Sequence, residues 1–69
     1  MKIYDVIKKI SSEKNISIYK LEHDLNFSNG SISKWNTWSP NAVKLQEVAD
    51  YLGVTSSFIL NEARKDGNK

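Results

Sequence analysis

The sequence predicts an all-α fold, a compact five-helix bundle, on three observations. Apolar residues recur three and four apart in the first and fourth segments, the spacing of one buried stripe on a helix. Asn15, Asn26 and Gly53 fall where such stripes end, and each is followed closely by a hydroxyl residue suited to cap the next helix. The 69 residues contain no cysteine, so neither a disulfide framework nor a thiolate metal site is available and helix packing is left to hold the domain.

The first helix is expected over about residues 2–14, with Ile3, Val6, Ile7 and Ile10 on its inner stripe and lysines on the other faces. Asn15 tolerates the left-handed conformation that ends helices, and Ser17 caps a second helix over about 17–25 that buries Ile18, Leu21 and Leu25. Glu22 falls on the same stripe. Asn26 supplies the next left-handed turn, and Ser28 caps a third helix with Ile32 and Trp35 on its inner face. Ser39 followed by Pro40 reads as a start signal, a capping hydroxyl with proline at the first helical position. The fourth helix then carries Ala42, Leu45, Val48, Ala49 and Leu52 to a stop at Gly53. Thr55 caps a short last helix that inserts Phe58 and Ile59, and beyond Asn61 a polar tail is expected to fray. The expected organisation is one domain over residues 1–62 and a tail over 63–69, with no internal repeat and no linker. A single domain of this size buries only about 60% of the surface its unfolded chain exposes, so its core is small.

The formal net charge is +2 and the pI is near 9.0, a mild basicity that permits nucleic-acid binding without demanding it. The positive charge is concentrated early, because through Lys34 six lysines face Asp5, Glu13, Glu22 and Asp24. Lys2, Asp5, Lys8, Lys9, Glu13 and Lys14 interrupt the first residues, which excludes a signal-peptide or membrane-spanning run there and points to a cytoplasmic protein without membrane association. One histidine cannot build a zinc cage alone, and His23 cannot converge with its neighbours Glu22 and Asp24 because consecutive helical side chains diverge by about 100°. With no GxxxxGK loop, no HExxH and no nucleophile beside a base, no enzymatic activity, cofactor or small-molecule substrate is expected.

Two short helices joined by three or four residues form a helix-turn-helix arrangement. The stretches SIYKLEHDLNFSNGSISKW and SPNAVKLQEVADYLGVTSSFIL carry cap, turn, proline stop and LGV segment in the order and spacing of one family. Over Ser17 to Leu60 the chain resembles the DNA-binding domain of phage repressors and the Cro-like, or XRE-type, bacterial regulators. The resemblance implies a regulator, in the first instance a repressor, that places its third helix in the major groove of double-stranded DNA. It implies that Asn29, Gly30 and Lys34 reach base edges, with Ser33 beside them. It further implies phosphate contacts from Ser17, Ile18 and Tyr19 at the start of the second helix and from Thr37 after the third; Ser31 and Ser33 flank the base-reading positions and are placed to bond bases or phosphates, Ser33 being assigned to bases and Ser31 to phosphates. Physical chemistry agrees for two of these, since asparagine pairs with adenine N6 and N7, and lysine reaches guanine O6 and N7.

Departures from the family pattern are specific. Gly30 replaces a polar residue and is expected to permit close approach of the helix to the bases. Ile18 replaces a polar residue, which restricts it to backbone contact. Glu22 stands where a small residue is usual, and the loop before Pro40 is short and holds Trp38. Most members are dimeric, so a weak homodimer, at least on DNA, is expected, with the exposed side of the last helix near Phe58 and Leu60 as its surface.

Plainer readings stand beside these. Asn29 and Lys34 are ordinary surface residues if the motif is set aside, and Arg64, Lys65 and Lys69 read as a solvating tail. Trp35 reads as core rather than as a stacking platform. Trp38 is expected to be buried against the third and fourth helices, fixing their angle; the alternative is an exposed side chain that marks a partner surface. For Glu22 the donors expected are the free N–H groups at the start of the third helix or the Trp35 indole; the alternative is a carboxylate reaching water from the rim. The rival to DNA reading is a protein-interaction module on the same scaffold, an anti-repressor or antitoxin-like regulator, because Lys34 is the only basic residue on the third helix.

Overall fold

The computed structural model describes residues 2–67, with side chains described through residue 65. Four α-helices, α1 (Ile3–Glu13), α2 (Ile18–Asp24), α3 (Ala42–Leu52) and α4 (Ser56–Gly67), are joined by turns and by one 3-10 helix, Ile32–Asn36, between α2 and α3. Every regular element among the described residues is helical, in agreement with the all-α expectation.

Three helices end in the same way. After α1, Asn15 takes a φ of 60°, its N–H donates to the Ser12 carbonyl and the Ile16 N–H donates to Ser11. Asn26 repeats this after α2 with φ 62°, where Asn26 donates to His23 and Phe27 to Glu22. Gly53 repeats it after α3 with φ 75°, where Gly53 donates to Asp50 and Val54 to Ala49. Each paired closure satisfies the last carbonyls of its helix, and the apolar residue just beyond, Ile16, Phe27 or Val54, packs against the core and fixes the exit of the chain.

Helix starts follow the sequence at α2 and α4, depart from it at α3, and at α1 draw on a residue far along the chain. The Ser17 hydroxyl accepts from the Lys20 N–H at 3.0 Å, and Thr55 accepts from the Phe58 N–H at 2.9 Å. For α3 the cap is Asn41, whose side chain accepts from the Lys44 N–H at 2.8 Å, so Ser39 and Pro40 precede the helix instead of opening it. Asparagine is as good an N-cap acceptor as serine, and the later start leaves Ala42 exposed while Leu45, Val48, Ala49 and Leu52 turn inward. At α1 the residue before the helix, Lys2, has no capping hydrogen bond from its side chain. Asn36 supplies it from the 3-10 helix, accepting from the Tyr4 N–H at 3.0 Å and donating to the Asp5 carboxylate at 3.2 Å.

The core is one cluster in which α1 packs on α4 and on the 3-10 helix, and α3 packs on α4. Ile7, Leu21, Ile32, Val48, Leu52 and Ile59 are sealed within it, while Ile3, Ile18 and Leu25 are half-buried at its edge. Phe58 departs from expectation. It is 44% exposed, because Ile59 takes the inward position of that turn and Phe58 is left along the groove between α1 and α4, beside Val6, Ile10 and Val54. Helix α4 continues past Asn61, where the polar tail was expected to begin, and runs to Gly67. Ala63, four residues after Ile59, extends its apolar stripe onto the core, and Lys65 pairs with Glu62 at 3.0 Å. Lys69, assigned to the tail, lies outside the described residues.

Candidate nucleic-acid interface

The segment expected to be an α-helix capped by Ser28 takes another form. Residues 28–31 make a turn closed by the Ser31 N–H donating to the Ser28 carbonyl at 3.0 Å, and regular helix begins only at Ile32, with 3-10 geometry. Two features impose this. Gly30 adopts φ 81°, a left-handed conformation that cannot lie inside a right-handed helix. Ile32 and Trp35, three residues apart, both face the core, and a 3-10 helix stacks residues at that spacing directly above one another.

Glu22 organises the turn. It is 3% exposed, and its carboxylate accepts from the Gly30 N–H at 3.0 Å with one oxygen and from the Ile32 N–H at 3.1 Å with the other. Of the donors expected for it, the N–H groups at the start of the third segment are the ones used, and the rim alternative is excluded by its burial. Charge-assisted bonds to both oxygens offset the cost of removing the carboxylate from water. Behind the turn, Phe27 meets Trp35 with ring centroids 6.0 Å apart, and the Lys44 ammonium lies 5.3 Å from the centre of the Phe27 ring. Trp35 is 8% exposed, a core residue as expected.

Among the residues expected to reach bases, Asn29, Ser33 and Lys34 are exposed. Asn29 stands on the turn before the 3-10 helix and not on a helix. Gly30 is half-buried with its N–H taken by Glu22, and it lies in the turn and not in the helix expected there. The Ser33 hydroxyl donates to the Gly30 carbonyl at 2.7 Å, bracing the same turn. Lys34 and Thr37 are three apart and share one outer edge of the 3-10 segment.

Among the residues expected at phosphates, Ser17, Tyr19 and Thr37 are exposed. Ser17 spends its hydroxyl on the α2 cap, while Tyr19 is 64% exposed and stacks on His23 with centroids 6.2 Å apart. Ile18 is half-buried and packs against the core, which leaves it only its backbone to offer. Ser31 differs from these, since its Oγ is withdrawn from solvent and has no hydrogen-bond partner among the described residues.

For Trp38 the favoured burial is corrected and the exposed alternative holds, since the side chain is 65% exposed. Trp35 already fills the inner position, and the chain leaves the 3-10 helix through one wider turn in which the Thr37 and Trp38 N–H groups both donate to the Lys34 carbonyl, at 2.9 and 2.8 Å. That turn carries Trp38 outward.

A polar cluster that sequence patterning missed ties α2 to α3. The Tyr51 hydroxyl donates to Asp24 Oδ2, and the Lys20 ammonium lies 3.1 Å from the same oxygen. The tyrosine hydrogen bond first, and the lysine second, hold the Asp24 carboxyl below its ordinary value, while the bond to Asp24 raises both Tyr51 and Lys20. The Lys20–Asp24 spacing of four on one helix is visible in the sequence; the arrival of Tyr51 is not. His23 Nδ1 lies 3.6 Å from Asp24 Oδ1, but Glu22 points into the core, so the three neighbours do not converge.

No helix among the described residues is long and apolar enough to cross a membrane. Compared with protein-family models, curated proteins and solved structures, the chain matches none.

Proposed function

We propose that this protein is a sequence-specific double-stranded DNA-binding regulator, in the first instance a repressor, acting through occupancy of an operator and without chemistry on the DNA. The observation that carries the reading is the joint between α2 and the segment after it, where the buried Glu22 carboxylate grips Gly30 and Ile32 while Asn29, Ser33 and Lys34 remain exposed. A rigid turn presenting an amide, a hydroxyl and an ammonium suits base edges in a major groove. The resemblance of Ser17 to Leu60 to phage-repressor and Cro-like domains, with their helix-turn-helix, supports the same reading.

In this mechanism Ser17, Tyr19, Thr37 and the Ile18 backbone set the register on phosphates, and Asn29, Ser33 and Lys34 read a few base pairs. So small an interface gains selectivity from a second copy on half-sites about one helical turn apart, with the side of α4 near Phe58 and Leu60 as the contact between copies. The test is selection of binding sites from random duplex DNA, with Asn29→Ala and Lys34→Ala alongside. An enriched motif is expected, with Lys34→Ala relaxing preference at one base pair by about 1–3 kcal/mol. No enrichment at low salt rejects the reading.

The exposed large apolar side chains Tyr19, Trp38, Val43, Phe58 and Leu60 favour the second reading, a protein-interaction module of anti-repressor or antitoxin-like kind. Salt separates the two. Affinity for DNA falls steeply as salt rises, and an apolar protein contact does not follow that slope.

A further inference from the structure

We propose that Asn29–Gly30 is a modification site, at which the chain deamidates to aspartate and isoaspartate when the turn releases Glu22, and that the product no longer binds DNA; the loss of binding rests on the DNA-binding reading above. Deamidation of an asparagine begins at the backbone nitrogen of the next residue. That nitrogen loses its proton and bonds to the asparagine Cγ. The bond from Cγ to the side-chain nitrogen breaks, and ammonia leaves, carrying the proton, from a closed succinimide ring. Water then opens the ring at either carbonyl, which leaves aspartate or isoaspartate. In sum, an amide and a water become a carboxylic acid and ammonia, with no change in oxidation state.

Asn29 is the one asparagine of the chain followed by glycine; the others precede Ile16, Phe27, Thr37, Ala42, Glu62 and Lys69, whose side chains crowd the attacking nitrogen. Asn29 is exposed to the water that the reaction consumes, and it stands on a turn and not in a helix. Glu22 holds the reaction back. In the succinimide, Cγ takes the position on the Gly30 nitrogen that the hydrogen occupied. Glu22 Oε1 lies 3.0 Å from that nitrogen along the same N–H, so the hydrogen bond and ring closure exclude one another. The carboxylate also opposes loss of the amide proton, because a second negative charge would then face it at hydrogen-bond distance. The Ser33 hydroxyl, 2.7 Å from the Gly30 carbonyl, braces the turn from the other side of Gly30. Opening of this turn therefore paces conversion at Asn29. Aspartate puts a carboxylate where an amide would meet adenine, and a carboxylate has no donor for adenine N7 and repels the phosphates. Isoaspartate lengthens the backbone by a methylene and breaks the turn that Glu22 holds.

Mass spectrometry of the tryptic peptide that ends at Lys34 follows the conversion in the full chain at neutral pH. Position 29 is expected to convert far more slowly in the folded chain than in urea. Glu22→Gln is expected to convert about tenfold faster than the original, since its single acceptor oxygen goes to the more deeply buried Ile32 N–H and Gly30 is freed. Ser33→Ala, an exposed change that leaves the core intact, is expected to speed conversion about threefold. Asn36→Ala, which loosens the first turn of α1 and not this turn, is expected to leave the rate unchanged. An equal or slower rate in Glu22→Gln, or equal acceleration by Asn36→Ala, overturns the control by Glu22. Where Glu22→Gln does not fold, Ser33→Ala decides, and no acceleration overturns it. Asn29→Asp stands in for the product and is expected to weaken binding to a duplex bearing the selected motif about tenfold or more, with its circular dichroism unchanged. Unchanged affinity of Asn29→Asp overturns the loss of binding alone. Failure of the unaltered chain to bind duplex DNA at low salt overturns that loss together with the reading on which it rests, and conversion at Asn29 is read independently of both.

Discussion

Removing the Glu22 carboxylate leaves the N–H groups of Gly30 and Ile32 without an acceptor, one of them in a place that water does not reach. Glu22→Ala is therefore expected to cost about 2–4 kcal/mol, the sum of two hydrogen-bond losses in a largely buried site. Glu22→Gln is the sharper test. Glutamine keeps one acceptor oxygen but turns an NH2 donor toward the second N–H, so it is expected to cost about 1–3 kcal/mol and not to rescue fully. Urea midpoints at constant m-value measure both, and a glutamine variant as stable as the original chain would refute the double-acceptor role. Sequence alone went far at this residue. A carboxylate on an apolar stripe needs donors, and the nearest unpaired ones in the chain were those at the start of the next segment. What it could not supply was which N–H groups, because that depends on the path of the turn.

The turn and the helix ends belong to the scale of elements. Asn15, Asn26 and Gly53 were legible because a left-handed residue followed by an apolar one is a local signature of helix closure. The 3-10 form of Ile32–Asn36 was not, since the spacing of Ile32 and Trp35 fits an α-helix nearly as well and a serine before it resembles a cap. Gly30 decides between them. Its added Cβ would meet nothing closer than the Ser33 hydroxyl at 3.9 Å, so space is available and the cost of Gly30→Ala is conformational. Holding alanine at φ 81° is expected to destabilise by about 1 kcal/mol, and refinement of this variant by NMR is expected to show the same left-handed turn, held by Glu22. An alanine variant more stable than the original would mean that residues 28–31 can join the helix after all. Asn36→Ala removes the cap that α1 receives from a distant element and is expected to cost about 1 kcal/mol, with faster amide exchange confined to the first turn of α1.

At the scale of the whole molecule, the contact of α2 with α3 is pH-sensitive. Folding lowers the pKa of Asp24 from an ordinary value of 3.8, so its contribution is present above that value and is lost as pH falls through the folded one. Folding raises Tyr51 from 10.0 and Lys20 from 10.5, so their contribution is present below those values and is lost as pH climbs through the folded ones. The cluster therefore supports the fold between about pH 4 and 10. Asp24→Asn is expected to flatten both limbs of the stability profile at once, because one carboxylate creates all three shifts. Urea midpoints across pH read this out, and the effect is expected to shrink in high salt because the groups are exposed. A profile in which only the acid limb changes would separate Tyr51 and Lys20 from Asp24.

By itself the sequence determined the all-α class, the inner stripes of the helices apart from Ala42 and Phe58, three helix closures and two of the caps, along with the outward exposure of Asn29, Ser33 and Lys34. All of these are local, settled by residues within about one turn of each other. Tertiary structure alone decided the Asn36 cap on α1, the Tyr51 bond to Asp24, the inward Ser31 hydroxyl and the outward Trp38. Those depend on which groups the folded chain brings together, with partners as far as 32 residues apart in the case of Asn36 and Tyr4. The edge formed by Lys34, Thr37 and Trp38 arises in that second way. A 3-10 helix leaves through a wider turn because one tryptophan already occupies the core, and the second is carried to the surface.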